Sequence, residues 1–182
     1  MIWLTSDTHF CHDREFIFGP RGFSCVEEMN KAIVERWNSV VSDDDTVYHL
    51  GDTILNDIDS GIEYFKQLKG NIILIRGNHD TNNRVQRLIN EKLIDENVLY
   101  ADILRYKKYN FYLSHFPTLT ENFDENHMSR ATINLFGHTH QQINFYGENP
   151  FMYHVGMDSH DCFPVSIDQI IENIKTRLNE KQ

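Results

Sequence analysis

Five apolar runs in the sequence end in residues whose side chains can bind a metal ion. The runs are IWLTSDTH, TVYHLGD, IILIRGNHD, FYLSH and INLFGHTH. The candidate ligands that they supply are Asp7, His9, Asp52, Asn78, His115, His138 and His140. Each run has the composition of a strand, and ligands in open α/β sheets bind beyond the carboxyl ends of strands. The pattern indicates one cluster. Solvated loop residues, or packed residues that only hold a turn, are the alternatives.

The spacing within two of these groups favours convergence. Asp7 and His9 are separated by one residue, as are His138 and His140. In extended chain such residues point to the same side, so each pair is expected to aim at one point. A glycine stands immediately before three of the groups, where it lets the backbone turn sharply and approach a bound group closely.

The candidate ligands also predict the class of metal. Carboxylate, imidazole and amide oxygen suit first-row ions, and no thiolate is offered. One ion rarely needs this many side chains, whereas two ions sharing a bridging carboxylate do. Two-metal sites with ions roughly 3.5–4 Å apart hydrolyse phosphoesters by clamping the attacking and leaving oxygens. We therefore expect two divalent ions as cofactors, Mn²⁺ first, with Fe, Zn²⁺ or Ni²⁺ as alternatives.

The composition is that of a single globular domain, expected to span residues 1–182. Hydrophobic residues make up 40% of the chain, and the formal net charge is −10. Phosphate contacts need clustered Lys and Arg, so a general nucleic-acid binder is not expected. Three cysteines without a C-x-x-C pattern argue against a disulfide framework. Neither a signal peptide nor a membrane helix is recognisable, which predicts a cytoplasmic protein without a membrane partner.

Strands and helices that could position the candidate ligands alternate along the first half of the chain. Strands are predicted at Ile2–Ser6, Thr46–Leu50, Ile72–Ile75, Val98–Tyr106, Phe111–Ser114, Ile133–Phe136 and Phe151–Val155. Helices are predicted behind the capping patterns Ser24-x-x-Glu27, Ser60-x-x-Glu63 and Ser166-x-x-Gln169, and around residues 85–89. This order favours an α/β sheet with an added antiparallel part. Residues 10–24 and 116–132 are predicted loops.

The five groups, taken in order, resemble the motifs of the calcineurin-like metallophosphoesterases. The matching residues are Asp7-x-His9, Gly51-Asp52, Gly77-Asn78-His79-Asp80, His115 and Gly137-His138-x-His140. The stretches VEEMNKAIVERWNSVV and DDDTVYHLGD are similar to the small single-domain members of that family. The resemblance implies a four-layer α/β/β/α sandwich and a dinuclear phosphoesterase that attacks phosphorus with a metal-bound hydroxide.

The resemblance also implies a role for each residue. Asp7, His9 and His140 would bind the first ion, Asn78, His115 and His138 the second, and Asp52 would bridge them. His79 would stabilise the transition state or protonate the leaving oxygen, and Asp80 would orient it. Asp80 could instead begin the following helix, where Asp is a favoured cap.

Two further residues are candidates for binding the substrate phosphate. His12 and Arg21 follow the first motif in a predicted loop, and solvated loop charge is the alternative for both. His49, His154 and His160 are expected to be structural. The expected partner is a small phosphoester, possibly a nucleotide, and phosphodiesters are favoured by the resemblance. A phosphomonoesterase or protein phosphatase, a nuclease, and a non-catalytic binding module on the same fold remain alternatives.

Overall fold

The N-terminal half of the chain supplies three of the four strands of the first sheet, and these three parallel strands end at the same edge. The computed structural model describes residues 1–122, 124–125 and 127–180. In it, β1 (Ile2–Thr5), β2 (Thr46–His49) and β3 (Asn71–Leu74) run parallel, and β8 (Val165–Ser166) pairs antiparallel with β1. The strand order is β3-β2-β1-β8. Thr5 pairs with His49, which pairs with Leu74, so the residues after all three strands meet at one edge.

A second sheet is formed by β4 (Ala101–Tyr106), β5 (Tyr109–Ser114), β6 (Thr132–Phe136) and β7 (Met152–His154). β4 and β5 form an antiparallel hairpin, whereas β5, β6 and β7 are parallel. β5 begins at Tyr109, two residues before the predicted start at Phe111. The carboxyl ends of β5 and β6 therefore bring the last two candidate motifs to one edge as well.

In the part of the chain that the structure describes, five α-helices cover the sheets: α1 (Glu15–Phe18), α2 (Val26–Val40), α3 (Ile58–Phe65), α4 (Asn82–Asn90) and α5 (Ile167–Glu180). The four predicted helices are confirmed, and α1 lies inside the predicted loop 10–24. Two predicted capping boxes are wrong. Cys25 is the N-cap of α2, and Asp57 caps α3 through its carboxylate. Ser166 does accept the backbone N–H of Gln169, as its pattern predicts.

The apolar residues form two cores, one on each face of the first sheet. Trp37 and Phe65 from the helices pack with Val47 on one face. Leu4 lies in the other core, together with residues of the second sheet and the apolar stripe of α5. The burial of both faces explains why these short strands are almost continuously apolar.

The predicted α/β class, with two sheets and helices, is confirmed. Residues 123 and 126 of the predicted loop 116–132 lie outside the described residues. In the described part of the chain, no helix is long and apolar enough to cross a membrane.

Candidate metal centre

The loops after the strands bring the candidate ligands together in two adjacent groups. Asp7, His9 and His140 form the first group, and Asp52, His115 and His138 form the second. Within each group the potential ligand atoms lie within 4.8 Å of one another. Both groups combine residues from the two sheets, so the centre exists only when the sheets are packed together.

Asp52 lies between the two groups. Its Oδ2 is 3.4 Å from His115 Nε2 and 3.8 Å from His9 Nε2. Asn78 joins the second group, since its Oδ1 is 2.9 Å from His115 Nε2. In the first group, His9 Nε2 and His140 Nε2 are 3.1 Å apart. The structure therefore brings all of the candidate ligands together, with Asp52 in the position expected of a bridging carboxylate.

The ligands converge by a backbone geometry other than the expected one. Residues Asp7, His9, Asp52, His138 and His140 all have φ between 48° and 65°, in the left-handed region. The expectation of extended chain at the two spaced pairs is therefore wrong. Left-handed backbone is uncommon at residues other than glycine, and such conformations cluster at functional sites.

Close contact between the motif loops explains two of the glycines. A Cβ atom on Gly77 would lie 2.3 Å from Asp52 Oδ1, and one on Gly137 would lie 2.3 Å from Asp7 Oδ2. Any side chain at either position would displace a carboxylate of the centre. These glycines are required for the close approach of one loop to the next.

The electrostatics of the centre suit a bound cation. Burial acts to raise the pKa of Asp7, but the neighbouring His9 and further histidines outweigh it and hold that pKa below its ordinary value. Burial acts to lower the pKa of His115, whereas hydrogen bonding to Asp52 and the charges of Asp7 and Asp52 raise it to about 9. The carboxylates therefore stay ionised.

One buried atom of the first group indicates that a cation fits there. Asp7 Oδ1 is buried without a hydrogen-bond partner among the described residues. A buried carboxylate oxygen that lacks a partner is costly unless an ion compensates it. Carboxylate, imidazole and amide oxygen are also the ligands that first-row divalent ions accept.

His79 lies at the rim of the centre. Its side chain is 46% exposed, and its Nε2 is 4.0 Å from Asp52 Oδ2. Its backbone N–H donates to Asp52 Oδ1 at 2.8 Å. This imidazole can therefore reach a substrate on the solvent side of the ligand groups. Its role in proton transfer stays a prediction.

Asp80 has a different environment from the one expected. Its buried carboxylate accepts the backbone N–H groups of Asp52, Thr53 and Gly77 at 2.8–3.0 Å, and the Thr53 hydroxyl at 2.7 Å. Thr81, not Asp80, is the N-cap of α4, so the capping alternative is wrong. In the described chain, no hydrogen bond joins Asp80 to the imidazole of His79. Asp80 fixes the loops that carry Asp52 and Gly77.

The two predicted substrate contacts have different outcomes. The Arg21 side chain is buried and paired with Asp158, so its assignment to substrate is wrong. The predicted loop folds back under the first motif and removes the guanidinium from solvent. The ring of His12 lies 5.4 Å from that of His9, at the edge of the centre. Burial, together with the positive charge of neighbouring histidines, lowers the pKa of His12 to about 4. Substrate binding by His12 stays a prediction.

The histidines expected to be structural are partnered in the interior. His49 is fully buried and bonds Thr8 Oγ1 at 3.0 Å. His154 Nδ1 bonds Ser159 Oγ at 2.7 Å, and His160 Nε2 lies 3.0 Å from the His154 carbonyl oxygen.

Sequence reasoning missed Asp158, whose Oδ2 lies 3.0 Å from His140 Nδ1. A signal was present, since the apolar run FMYHVGMD is a sixth run that leads through glycine to a carboxylate.

The chain matches a family model described as the calcineurin-like phosphoesterase superfamily domain over residues 1–156. The chain therefore belongs to this superfamily, and it is a metal-dependent phosphoric ester hydrolase. The motif resemblance, the fold and the ligand groups agree with that assignment.

Relatives of similar length occur in archaea, phages and bacteria. An uncharacterized protein of Methanocaldococcus jannaschii is 36% identical over 185 residues, covering 96% of this chain and 91% of that protein. The gene 66 protein of Mycobacterium phage L5 is 29% identical over 163 residues, covering 78% of each chain. A solved structure of a protein of unknown function from Aquifex aeolicus has a TM-score of 0.66 and 26% identity, covering 94% of this chain and 98% of that one.

Proposed function

We propose that this protein is a dinuclear phosphodiesterase that acts on small phosphodiesters, nucleotides among them. The observation that carries the dinuclear assignment is the position of Asp52 Oδ2, within 3.8 Å of a histidine from each ligand group. A carboxylate shared in this way is what two ions roughly 3.5–4 Å apart require.

The side chains of the centre have complementary tasks in this proposal. The first group and the second group would each hold one divalent ion, preferably Mn²⁺, with Fe, Zn²⁺ or Ni²⁺ as alternatives. Bound ions would supply Lewis acidity and neutralise charge on the phosphoryl oxygens. His79, exposed at the rim, would donate a proton to the leaving oxygen, because an alkoxide leaves poorly near neutral pH. Asp80 would keep the bridging residue in place.

Two observations, one inside the protein and one at the rim of the centre, support diesters over monoesters. Arg21 is bound to Asp158 inside the protein and cannot bind the second negative charge of a monoester dianion. Two exposed phenyl rings flank the ligand groups. Phe16, 69% exposed, lies against the ring of His12, and Phe116, 49% exposed, lies 4.6 Å from the ring of His138. Flat organic substituents on either side of a phosphodiester could pack on these rings.

The charge of the chain limits the size of the proposed substrate. A formal net charge of −10 disfavours long nucleic acids, which need a groove lined with Lys and Arg. We therefore propose that the substrate is a small diester, such as a mononucleotide diester. We also propose that the enzyme is cytoplasmic. The complete ligand set favours an enzyme over a binding module.

The test is hydrolysis of bis-p-nitrophenyl phosphate by metal-stripped protein, with and without Mn²⁺, Zn²⁺, Ni²⁺ or Fe²⁺. We expect turnover that depends on added metal, and faster turnover than with p-nitrophenyl phosphate. Asp52→Asn should abolish it. Preference for the monoester would refute the diester assignment, and no turnover of either ester with any of these ions would refute hydrolysis and favour the binding module.

A further inference from the structure

A buried ion pair lies beneath the first ligand group. Arg21 Nε donates to Asp158 Oδ1 at 3.0 Å, and Arg21 Nη2 donates to Asp158 Oδ2 at 2.9 Å. The two side chains are 1% and 3% exposed. A two-pronged guanidinium–carboxylate pair has a fixed geometry. The desolvation penalty of two buried charges offsets much of the free energy gained from their attraction. A buried ion pair is therefore weak evidence for stability, and we expect it to have another role.

Each member of the pair also holds one part of the first ligand group. Asp158 Oδ2 lies 3.0 Å from His140 Nδ1, on the side of the ring opposite the ligand atom Nε2. Arg21 Nη2 donates to the backbone carbonyl oxygen of Asp7 at 2.8 Å, and its Nη1 donates to that of Thr8 at 3.4 Å. Asp7 follows β1 in the first sheet and His140 follows β6 in the second. The pair therefore joins the two loops that form the group.

The second ligand group is supported differently. His115 Nδ1 lies 2.8 Å from the backbone carbonyl oxygen of Leu50, a neutral acceptor. The ring of His138 packs against the apolar ring of Phe116 at 4.6 Å. A carboxylate or a backbone carbonyl oxygen behind a ligating imidazole fixes its tautomer and raises its ligand strength, and losing such a partner typically costs about 10–100-fold in metal affinity. The carboxylate has the larger effect because a hydrogen bond to a charged acceptor is roughly twice as strong as one to a neutral acceptor.

From this asymmetry we infer that the Arg21–Asp158 pair is a positioning element that makes Asp7, His9 and His140 the higher-affinity of the two cation sites. The inference rests on the proposed dinuclear function. It assigns an order of loading, in which the first group fills at lower metal concentration and the second group fills afterwards. Asp158 and Arg21 act through the ligands and do not contact the substrate.

The test is calorimetric titration of Mn²⁺ into metal-free wild-type protein, Asp158→Asn and the control Asp168→Asn. Asp168 makes an ion pair with Lys107 on the surface, so its variant reproduces the change of charge alone. We expect two unequal sites in the wild type, a loss of about 10–100-fold at the tighter site in Asp158→Asn, and wild-type affinities in Asp168→Asn. Titration requires no turnover, so it is independent of the substrate assignment.

The outcomes separate the inference from the proposed function. Two sites of equal affinity in the wild type, or an Asp158→Asn protein that keeps both affinities or weakens both equally, would overturn the inference alone. Binding of fewer than two ions by the wild type would overturn the dinuclear function itself.

If the Asp158→Asn protein does not fold, a measurement on the wild type still tests the inference. Long-range ¹H–¹⁵N spectra of the Zn²⁺-loaded protein report which ring nitrogen of each histidine carries the proton. We expect a proton on His140 Nδ1, directed at Asp158, with the signal assigned by its absence in His140→Asn. A proton on His140 Nε2 would overturn the inference.

Discussion

Replacing Asp80 by Asn should lower the free energy of unfolding of the protein, in addition to any effect on its activity. In the wild type, Oδ1 accepts the N–H and hydroxyl of Thr53, and Oδ2 accepts the N–H groups of Asp52 and Gly77. The asparagine side chain keeps one acceptor oxygen. In place of the other oxygen it has an NH₂ group, a donor, which faces the two donors that this oxygen accepts in the wild type. Two hydrogen bonds to a charged group are lost, each worth roughly 1.5–3 kcal/mol. The expected loss of unfolding free energy is therefore about 3–6 kcal/mol, a large part of the roughly 5–15 kcal/mol typical of a domain.

The assay is urea unfolding in EDTA, followed by the fluorescence of Trp3 and Trp37. Metal must be absent because an ion bound to the folded state adds stability. Asp95→Asn is the control, since Asp95 accepts a backbone N–H in an exposed turn, and this variant should be close to wild type. If Asp80→Asn unfolds within about 0.5 kcal/mol of wild type while its turnover collapses, the reasoning is refuted. Asp80 would then act on His79 rather than on the backbone of the loops.

Three further predictions concern the proton donor, a motif glycine and a buried histidine. His79→Ala should lower turnover of an alkyl phosphodiester by about 10²–10⁴ while calorimetry shows unchanged Mn²⁺ binding; equal rates would exclude it as the proton donor. Gly77→Ala should weaken Mn²⁺ binding by about tenfold or more, because its Cβ would displace Asp52. Burial lowers the pKa of His154 from 6.5 to about 4, so the fold favours its neutral form. The stability that His154 contributes should be full above pH 6.5 and fall by about 3 kcal/mol towards pH 4. His154→Gln should make the decline in urea titrations shallower by that amount, whereas the exposed-site control His127→Gln should leave it unchanged.

Much of the fold could be predicted because its signals are local. The strands are short runs of apolar residues that end in glycine or polar residues, and the structure places them within a few residues of the expected bounds. Helix starts were less predictable. Ser24 has the pattern of a cap, yet its hydroxyl and N–H donate to Glu28, and Cys25 begins the helix instead. Several side chains near a helix start can satisfy the same donors, and packing of the whole helix selects among them.

The candidate ligands could also be predicted, since a metal site is restricted to a few side-chain types, and these ended five apolar runs. The residues that hold these ligands in position could not be predicted. Arg21 and Asp158 are 137 residues apart in the chain, and neither has a local pattern that names the other. An exposed arginine in a loop and a buried arginine in an ion pair look identical in sequence.

The sequence by itself determined which side chains can bind metal, where the strands end and to which family the motifs point, because these depend on residue type and short spacing. Only the tertiary structure decided that five of the ligands take left-handed backbone, that Asp80 holds the loops rather than a helix end, and that Arg21 faces inward. Those outcomes depend on which loops the packing of the two sheets brings within hydrogen-bond distance of one another. Contacts between residues far apart in the chain decide which loops become neighbours.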